Sequence, residues 1–536
     1  MGRRGRGWVA GAHGAALVGG AITFLSIPPI GIWAAGPVGL AVFAVSLYRA
    51  RPRRRIACGY LFGFGLLIPG LVWMIDFTAP GYPVVVLIES SFYALAGLLT
   101  PPGRGRLVAF PAAVAAAEAL RDTWPFGGVP ITELSQGQAA APLAELARLG
   151  GSVLVTGGTA AMGAALAGLA LALWAGRLRP GAAGRADANV PGGPTGPGGS
   201  PAPWRRLVAP AGLGLAAVVL TVVGALAPDG GAPTGHLRVA DVQGGGPRGM
   251  RAIDRDPMLA FNAQVEATAA VRPPVTLIVW PENVLELDGP LDGSPQDASM
   301  RTIASSRGAT VVAGVTVPVG TTRFLNEVFA WTPTGGRTRP YEKVHRVPFG
   351  EWIPFRSLLS HVANLSDVPR DAVPGRGAGY LSTPAGNFAV CISYEVFFDS
   401  RALSGVRAGG RLLLVPTNAA SYSSGQVPSI EVAAARLRAI GTGRDVVQSA
   451  PTGYSAVIDN RGRVRARTSL GRAQVLTATI ATRSGYTPFD VAGLLGVRLA
   501  MLSLLGLGWW LAWWGWNSSR GGVGGAEMTR SSSSGS

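Results

Sequence analysis

The stretch Tyr341–Pro354, YEKVHRVPFGEWIP, contains Lys343, the only lysine of the 536-residue chain. Arginine supplies every other basic side chain among the 47 lysines and arginines. A lysine amine is a compact donor whose pKa can be shifted, whereas the planar arginine fork is always charged. Lys343 is therefore a candidate catalytic residue. The alternative is that a single lysine has remained by chance in a chain that otherwise uses arginine.

The composition indicates a membrane protein with a soluble part. Hydrophobic residues make up 48% of the chain and charged residues only 14%. The net charge of +18 does not favour a nucleic-acid binder, because the arginines cluster beside apolar segments rather than on one basic face. Two distant cysteines, Cys58 and Cys391, give no disulfide framework or CxxC metal pair. No glycine-rich phosphate loop follows a strand, so we expect neither cofactor nor metal.

Apolar stretches long enough to cross a bilayer recur along the chain, and we predict about eight spans. They lie at about residues 8–26, 30–48, 56–75, 83–100, 107–121, 150–176, 207–227 and 491–516. Every second loop is rich in arginine, which places both termini in the cytoplasm by the positive-inside rule. The same alternation places the large segment between spans 7 and 8 on the outer face of the membrane. Glu89 of span 4 is expected to face the interior of the bundle or a water-filled cleft, and Glu118 with Arg121 of span 5 to form a structural ion pair within the bundle.

These features divide the chain into a polytopic α-helical membrane bundle and a globular α/β domain. The predicted parts are a seven-span bundle (1–228) with a disordered cytoplasmic linker (181–203), an extracytoplasmic domain (236–487), a C-terminal transmembrane helix (488–517) and a disordered cytoplasmic tail (518–536).

The globular domain alternates short β-rich runs with helical stretches, which favours sheets covered by helices. The expected strands are 237–240, 276–280, 310–314, 388–392 and 412–415, the expected helix is 429–444, and a hairpin joins 455–458 to 464–467.

Reactive side chains follow strands of this domain. Glu282 comes after the run TLIVW, Lys343 lies in the opening stretch, and Ser393 with Tyr394 and Glu395 follows FAVCI. Each has a plain interpretation by itself: a solvated acid, a stray lysine, a capping serine. Together they supply a general base, a cation for an oxyanion and a nucleophile, which are the groups that acyl transfer needs.

The same motifs resemble a known family. The segments WPEN (280–283), EKVHRVPFGEWIP (342–354), SYE (393–395) and TNAAS (417–421) are similar to those of the nitrilase, or carbon–nitrogen hydrolase, domain. With the predicted spans on both sides of this domain, the chain resembles the apolipoprotein N-acyltransferases of the bacterial cell membrane. The resemblance implies a nitrilase-like αββα sandwich that holds a Glu-Lys-Cys triad.

The resemblance also implies roles and partners. In this family a cysteine takes an acyl chain from a membrane phospholipid and passes it to the N-terminal amine of a diacylglyceryl-cysteine lipoprotein. Glu282 matches the general base, Lys343 the lysine that stabilises the transition state, and Glu351 a supporting glutamate. Tyr394 and Glu395 match the pair that follows the nucleophile.

The nucleophile departs from the family pattern, because Ser393 occupies the position of the cysteine. Cys391 is the alternative nucleophile. If the strand continued to residue 393, both side chains would point to one face, about 6.6 Å apart. The plain interpretation of Cys391 is a small buried hydrophobe.

Two further functions stay open. A membrane-tethered amidase would use the same triad on a small amide, but it leaves the predicted spans unexplained. A catalytically silent homologue would bind lipoproteins as a scaffold, and the serine at position 393 favours that alternative.

Overall fold

The computed structural model describes residues 3–103, 105–177, 205–246, 256–361, 365, 368–418 and 425–528. The α-helices of these ranges are α1 (Arg3–Phe24), α2 (Ala35–Ser46), α3 (Pro52–Gly70), α4 (Met74–Phe77), α5 (Gly81–Leu99), α6 (Arg106–Arg121), α7 (Ala147–Arg177), α8 (Arg205–Leu226), α9 (Pro257–Thr268), α10 (Pro295–Arg307), α11 (Arg356–Leu359), α12 (Asp399–Arg407), α13 (Gln426–Thr442) and α14 (Pro488–Met528). The strands are β1 (Gly235–Gln243), β2 (Leu277–Val279), β3 (Leu285–Glu286), β4 (Thr310–Val319), β5 (Arg323–Trp331), β6 (Tyr341–Glu342), β7 (Asp371–Ala372), β8 (Tyr380–Thr383), β9 (Gly386–Val390), β10 (Leu412–Pro416), β11 (Val446–Ser449), β12 (Ala456–Ile458), β13 (Val464–Arg467) and β14 (Gln474–Thr482).

A helix forms at each predicted apolar stretch, and glycines let these helices pack closely. A Cβ on Gly59 of α3 would lie 2.2 Å from the Tyr93 carbonyl oxygen of α5. One on Gly20 of α1 would lie 2.0 Å from the Phe62 carbonyl oxygen of α3. Small residues at such crossings allow the close backbone contact that holds helices together in lipid.

In the part of the chain that the structure describes, four helical segments are long and apolar enough to cross a membrane: Gly81–Leu99, Pro142–Ala175, Arg206–Leu226 and Pro488–Asn517. Helices α8 and α14 expose many large apolar side chains, such as Leu215 and Leu495, which indicates a lipid environment. The number of spans stays a prediction, because Gly11–Phe24 and Ala35–Ser46 form shorter apolar helices.

The ionisable groups of spans 4 and 5 meet inside the bundle, as expected. Arg121 donates from Nε to Glu89 Oε2 at 2.6 Å and from Nη1 to Glu118 Oε1 at 3.2 Å. All three side chains are almost completely buried. Glu89 therefore has a structural partner in Arg121, which satisfies the requirement that a buried charge be paired.

The α/β domain consists of two sheets packed face to face. One has eight strands, with the path β14-β1-β2-β4-β5-β6 and with β3 and β7 paired to β4 and β5; the other has the order β13-β12-β11-β10-β9-β8. Apolar side chains of both sheets, such as Val279 and Val390, form the core between them. Helices α9 and α10 cover the first sheet, and α12 and α13 cover the second. The predicted αββα sandwich is confirmed.

The expected strands and the 455–467 hairpin are present, with β12 antiparallel to β13. The predicted linker at 181–203 lies outside the described residues, as do residues 529–536 of the predicted tail. Residues 518–528 are helical and continue α14 beyond the expected boundary at 517.

Candidate active site

Glu282 is held in a short turn that follows β2. Its side chain is only 3% exposed. The turn lies directly against β4: a Cβ on Gly314 would be 2.5 Å from the Glu282 Cα. The Gly314 amide also donates to the Pro281 carbonyl oxygen at 3.0 Å. The sheet thus fixes the backbone that carries this carboxylate.

Lys343 meets two carboxylates in the same buried space. Its Nζ donates to Glu282 Oε1 and to Glu351 Oε1, each at 2.8 Å. The ammonium is 2% exposed. The structure thus brings together two predicted site residues that are far apart in sequence, and adds Glu351, which was predicted to support them.

The pKa values of Glu282 and Lys343 are both raised, the first by burial and the second by charge. Burial raises the pKa of Glu282, and the Lys343 ammonium opposes this shift only in part. Burial lowers the pKa of Lys343, but attraction to Glu282 and Glu351 outweighs burial and raises it. Lys343 therefore stays a cation, suited to stabilising negative charge, while Glu282 is a stronger base than an exposed carboxylate.

Asn326 is a site residue that the sequence analysis missed. Its Nδ2 donates to Glu282 Oε1 at 2.8 Å and to Glu351 Oε1 at 2.9 Å. Its backbone carbonyl oxygen accepts from the Lys343 backbone amide at 2.9 Å. One asparagine on β5 thus orients all three charged groups. The sequence feature that could have indicated this role is the polar amide of Asn326 within the strand sequence RFLNEVFAW (323–331).

Ser393 lies at a sharp turn after β9, so the strand does not continue to residue 393. β9 ends at Val390, and Ser393 begins a short 3-10 helix, Ser393–Phe397. Ser393 has a φ of +49°, in the left-handed region that costs a non-glycine residue about 1–3 kcal/mol. Because the chain turns here, Ser393 and Cys391 do not share one face of a strand.

Glu395 ties this turn to the lysine segment. It is fully buried, and its carboxylate accepts from the Tyr341 hydroxyl at 2.8 Å. It also accepts from the backbone amides of Val344, at 2.8 Å, and Ile392, at 2.9 Å. The carboxylate therefore joins the two backbone segments that carry Lys343 and Ser393.

Ser393 is linked to a further acid through a threonine. Thr417 Oγ1 lies 3.1 Å from Ser393 Oγ and 2.7 Å from Glu431 Oε1. The charges of Glu282 and Lys343 act on the pKa of Glu431 in opposite directions, Glu282 raising it and Lys343 lowering it. The sequence analysis gave neither Thr417 nor Glu431 a role. The signal for Glu431 was an acid within an otherwise apolar helix face.

Cys391 lies within the core of the domain. It is fully buried and clusters with Ala389 and with the layer of α12 and α13, such as Ala402 and Ile430. Burial raises the pKa of this thiol, and Glu395 raises it further. Its ionised form is therefore disfavoured, which argues against Cys391 as the nucleophile.

Tyr394 connects the turn to the membrane bundle. Its hydroxyl donates to the Gly128 carbonyl oxygen at 2.7 Å, in the loop after α6. A cavity of about 300 Å³ opens beside it, between this loop and the segment that follows Lys343. Its lining comprises Phe126, Gly127, Gly128, Val344, His345, Arg346, Trp352, Tyr394 and Phe398. An aromatic cavity thus lies where the domain meets the bundle.

The opening stretch and the adjoining Phe355 also contact the loop after α6 through aromatic rings. Phe126 packs edge-on against Phe349, Trp352 and Phe355, with ring centroids 5.9, 6.4 and 5.9 Å away.

Within the described ranges, no three histidine, cysteine or carboxylate side chains converge as ligands for a metal ion.

Comparison with known proteins gives matches over most of the chain. The family described as "Apolipoprotein N-acyltransferase N-terminal domain" matches residues 19–165, and "Carbon-nitrogen hydrolase" matches residues 232–486. A protein of Mycolicibacterium smegmatis named "Apolipoprotein N-acyltransferase" is 29% identical, with 88% of this chain and 80% of the relative covered. A protein of the same name from Photobacterium profundum is 27% identical, with 89% and 90% covered.

Among solved structures, the chain is similar to Saccharomyces cerevisiae Nit3, a member of branch 10 of the nitrilase superfamily. The TM-score is 0.37 at 19% identity, with 46% of this chain and 91% of that chain covered. The two domain matches follow the order and positions of the bundle and the sandwich along the chain. They also agree with the names of the relatives. The chain belongs to the apolipoprotein N-acyltransferase family of the carbon–nitrogen hydrolase superfamily.

Proposed function

We propose that this protein moves an acyl chain from a membrane phospholipid to the N-terminal amine of a diacylglyceryl-cysteine lipoprotein, through an acyl-enzyme on Ser393. The observation that carries the proposal is the buried Lys343 ammonium shared by Glu282 and Glu351. A cation held so firmly in a buried site is preorganised for an anion that exists only during reaction.

The first half-reaction forms the acyl-enzyme. Ser393 Oγ attacks the carbonyl carbon of a phospholipid acyl ester while Glu282 takes the serine proton. Two of the three Lys343 N–H donors are used by Glu282 and Glu351, and the third stabilises the oxyanion. As the intermediate collapses, the bond to the glycerol oxygen breaks and that oxygen leaves with the proton from Glu282.

The second half-reaction transfers the chain. The lipoprotein amine attacks the Ser393 ester and gives a proton to Glu282, an amide bond forms, and Ser393 Oγ leaves with that proton. Glu351 and Asn326 support the carboxylate and the ammonium, and the Glu395 hydrogen bonds hold the serine turn against the lysine segment.

The position of the cavity supports lipid substrates. Donor and acceptor both reside in a bilayer, so their reacting groups must reach the site from the membrane side. The 300 Å³ cavity lies between the bundle loop at Gly128 and the residues after Lys343, and its aromatic lining suits an acyl chain. This assignment agrees with a catalytic domain on the outer face of the cell membrane and with cytoplasmic termini.

The test uses purified full-length protein, phospholipid and a synthetic diacylated lipopeptide, with mass spectrometry of the products. Wild type is expected to form triacylated lipopeptide and lysophospholipid, and Ser393→Ala is expected to form neither. Cys391→Ala serves as the matched control and should retain product formation. If Ser393→Ala still forms product, or if only Cys391→Ala loses product formation, Ser393 is not the nucleophile.

The silent scaffold is the second candidate, and the serine at position 393 is what favours it. It predicts that wild type binds the lipopeptide without turnover. An amidase would instead hydrolyse small amides and leave the lipopeptide unchanged. The same preparation therefore separates all three functions.

A further inference from the structure

A second acidic side chain, that of Glu431, is connected to the Ser393 hydroxyl through the hydroxyl of Thr417. Thr417 follows β10 and is fully buried, and Glu431 lies on α13 with 3% exposure. The separations are 3.1 Å from Thr417 Oγ1 to Ser393 Oγ and 2.7 Å from Thr417 Oγ1 to Glu431 Oε1. The three oxygens thus form a continuous chain that ends on the nucleophile.

The protonation state of Glu431 decides the direction of this chain. A threonine hydroxyl has a single proton, so it donates either to Ser393 or to Glu431. An ionised Glu431 only accepts; Thr417 would then donate to it, and Ser393 would have to turn its own proton toward Thr417. A protonated Glu431 donates to Thr417, and Thr417 donates to Ser393 Oγ. Only this second arrangement leaves the serine proton available to Glu282.

The surroundings of Glu431 favour its neutral form. Burial raises the pKa of Glu431 to about 8, the hydrogen bond with Thr417 lowers it, and the charges of Glu282 and Lys343 act in opposite directions. The other oxygen, Oε2, has no hydrogen-bond partner among the residues that the structure describes. An unpartnered buried oxygen is far less costly on a neutral acid than on a carboxylate.

The neighbouring charged groups are engaged elsewhere. Glu395, on the 3-10 helix that packs against α13, accepts from Tyr341 and from backbone amides. Arg438, on α13 itself, pairs with Asp399. Glu282 and Lys343 are therefore the charges that act on Glu431, and their opposite signs leave burial as the dominant cause of its shift.

We propose that neutral Glu431 donates a hydrogen bond to Thr417, which donates to Ser393 Oγ, and that this donor chain positions the serine and stabilises its oxygen as it becomes negative. The inference rests on the proposed acyl transfer. As the Ser393 O–H bond breaks, its proton moves to Glu282, and the Oγ–carbonyl carbon bond forms; the protons of Thr417 and Glu431 stay in place. Thr417 contacts the nucleophile, and Glu431 is a positioning residue that acts through it.

A serine site has a physical need for such a chain. An alcohol ionises less readily than a thiol, so a carboxylate base alone removes its proton less easily. A donor aimed at the serine oxygen lowers that barrier because it favours the negative form. Glu431→Gln keeps an N–H donor at every pH, whereas Glu431→Leu has none. Thr417→Ser keeps the hydroxyl, whereas Thr417→Val removes it at nearly the same volume.

The experiment measures acyl-enzyme formation in a single turnover, with purified full-length protein in phospholipid–detergent micelles and no amine acceptor. Intact-protein mass spectrometry follows the rate from about pH 6 to about pH 10. The donor is present below the pKa of Glu431 and is lost as the pH rises through it, so the wild-type rate should fall above about pH 8. Glu431→Gln should keep the neutral rate and lose this alkaline decline.

The remaining variants separate positioning from mere packing. Thr417→Val should slow acyl-enzyme formation by about 10²-fold, the usual cost of one donor to a developing oxyanion, and Thr417→Ser should restore it. Glu431→Leu should be slow at every pH. An alkaline decline that persists unchanged in Glu431→Gln, or a wild-type rate in Thr417→Val, would overturn the donor chain.

A second readout distinguishes this inference from the proposed function. A fluorophosphonate probe phosphonylates a reactive serine, with fluoride as the leaving group, and needs no lipid. If wild type labels at Ser393 with the pH and variant pattern above but forms no acyl-enzyme from phospholipid, the donor chain stands and the proposed substrate fails. If phospholipid acylates Ser393 but neither readout responds to Glu431→Gln or Thr417→Val, the donor chain fails and the proposed function stands.

Discussion

Lys343 shows how a single residue acquires a role from its partners. Its ammonium is buried between Glu282 and Glu351, at 2.8 Å from each, and these charges raise its pKa. The amine therefore serves as a fixed cation rather than as a base. A compact ammonium fits this shared position, whereas a guanidinium is larger and planar.

Lys343→Arg should abolish most of the activity although it keeps the charge. The bulky fork cannot occupy a space that is 2% exposed without displacing both carboxylates. We expect a loss of about 10²- to 10³-fold in the rate of triacylated lipopeptide formation, comparable to the loss of one oxyanion donor. Arg461→Lys, at a side chain that is 59% exposed, is the control and should behave as wild type. Full activity in Lys343→Arg would remove Lys343 from the proposed mechanism.

Ser393→Cys should restore the nucleophile of the family and speed acyl-enzyme formation. A thiol is ionised more readily by Glu282, and each unit of pKa corresponds to about tenfold in the ionisation equilibrium, so we expect an increase of at least about tenfold.

The product of this variant is chemically distinct. Its thioester should be cleaved by neutral hydroxylamine, whereas the wild-type oxyester should resist, and mass spectrometry separates the two. The measurement is made in a background that carries both Cys58→Ala and Cys391→Ala, so that the new thiol is the only one in the chain. A variant slower than wild type would show that this turn is shaped for an oxygen.

At the scale of elements, the ends of neighbouring strands determine where the reactive groups lie. β2 and β4 are parallel neighbours, and the turn after β2 lies on Gly314 of β4. β5 contributes Asn326, and β6 leads into Lys343. The site is therefore only as precise as the packing of these strand ends, because a displacement of about 1 Å can cost about 10²-fold in rate.

Gly314→Ala should lower activity without removing any reactive group. The new methyl group would lie 2.5 Å from the Glu282 Cα and 2.8 Å from the Asn283 nitrogen, so the turn must move. We expect a fall of about tenfold or more in the rate of acyl-enzyme formation. Gly289→Ala is the matched control, because a Cβ there meets no atom within 4 Å. Equal rates in the two variants would show that the turn accommodates the methyl group.

At the scale of the whole molecule, polar contacts couple the sandwich to the bundle. Asp399 of α12 accepts from the Ser152 amide of α7 at 2.7 Å and forms a buried ion pair with Arg438 of α13. Tyr394 reaches the loop after α6. The aromatic cavity lies at the same junction, and Tyr394 is part of its lining.

Arg438→Met should destabilise the molecule more than any surface pair would. Breaking a buried ion pair leaves the Asp399 charge uncompensated, which typically costs about 3–5 kcal/mol. The expected outcome is a clearly lower Tm in detergent. Arg465→Met is the control: this arginine is 63% exposed in its pair with Asp459, and such pairs contribute at most about 1 kcal/mol. Equal Tm values for the two variants would show that the Asp399 contact does not hold the domains together.

The sequence by itself predicted the architecture and much of the site. Apolar periodicity located helices in the bundle and strands in the sandwich because burial must repeat along each element. The unique lysine and the motif around Glu282 located two members of the charged cluster, since the family motif preserves those residue types. Ser393 was identified as a departure at the nucleophile, although its conformation was not.

Only the tertiary structure revealed the roles of Asn326, Thr417 and Glu431, and it showed the turned backbone at Ser393. These residues stand far apart in sequence, and although Thr417 begins the TNAAS motif, none of the three was assigned a role, because the role of each depends on which side chains it contacts. Hydrogen bonds act over about 3 Å and depend on direction. The amino-acid sequence determines which helices and strands form. Only when those elements pack together does a donor point toward Ser393, and only then does burial raise the pKa of Glu431.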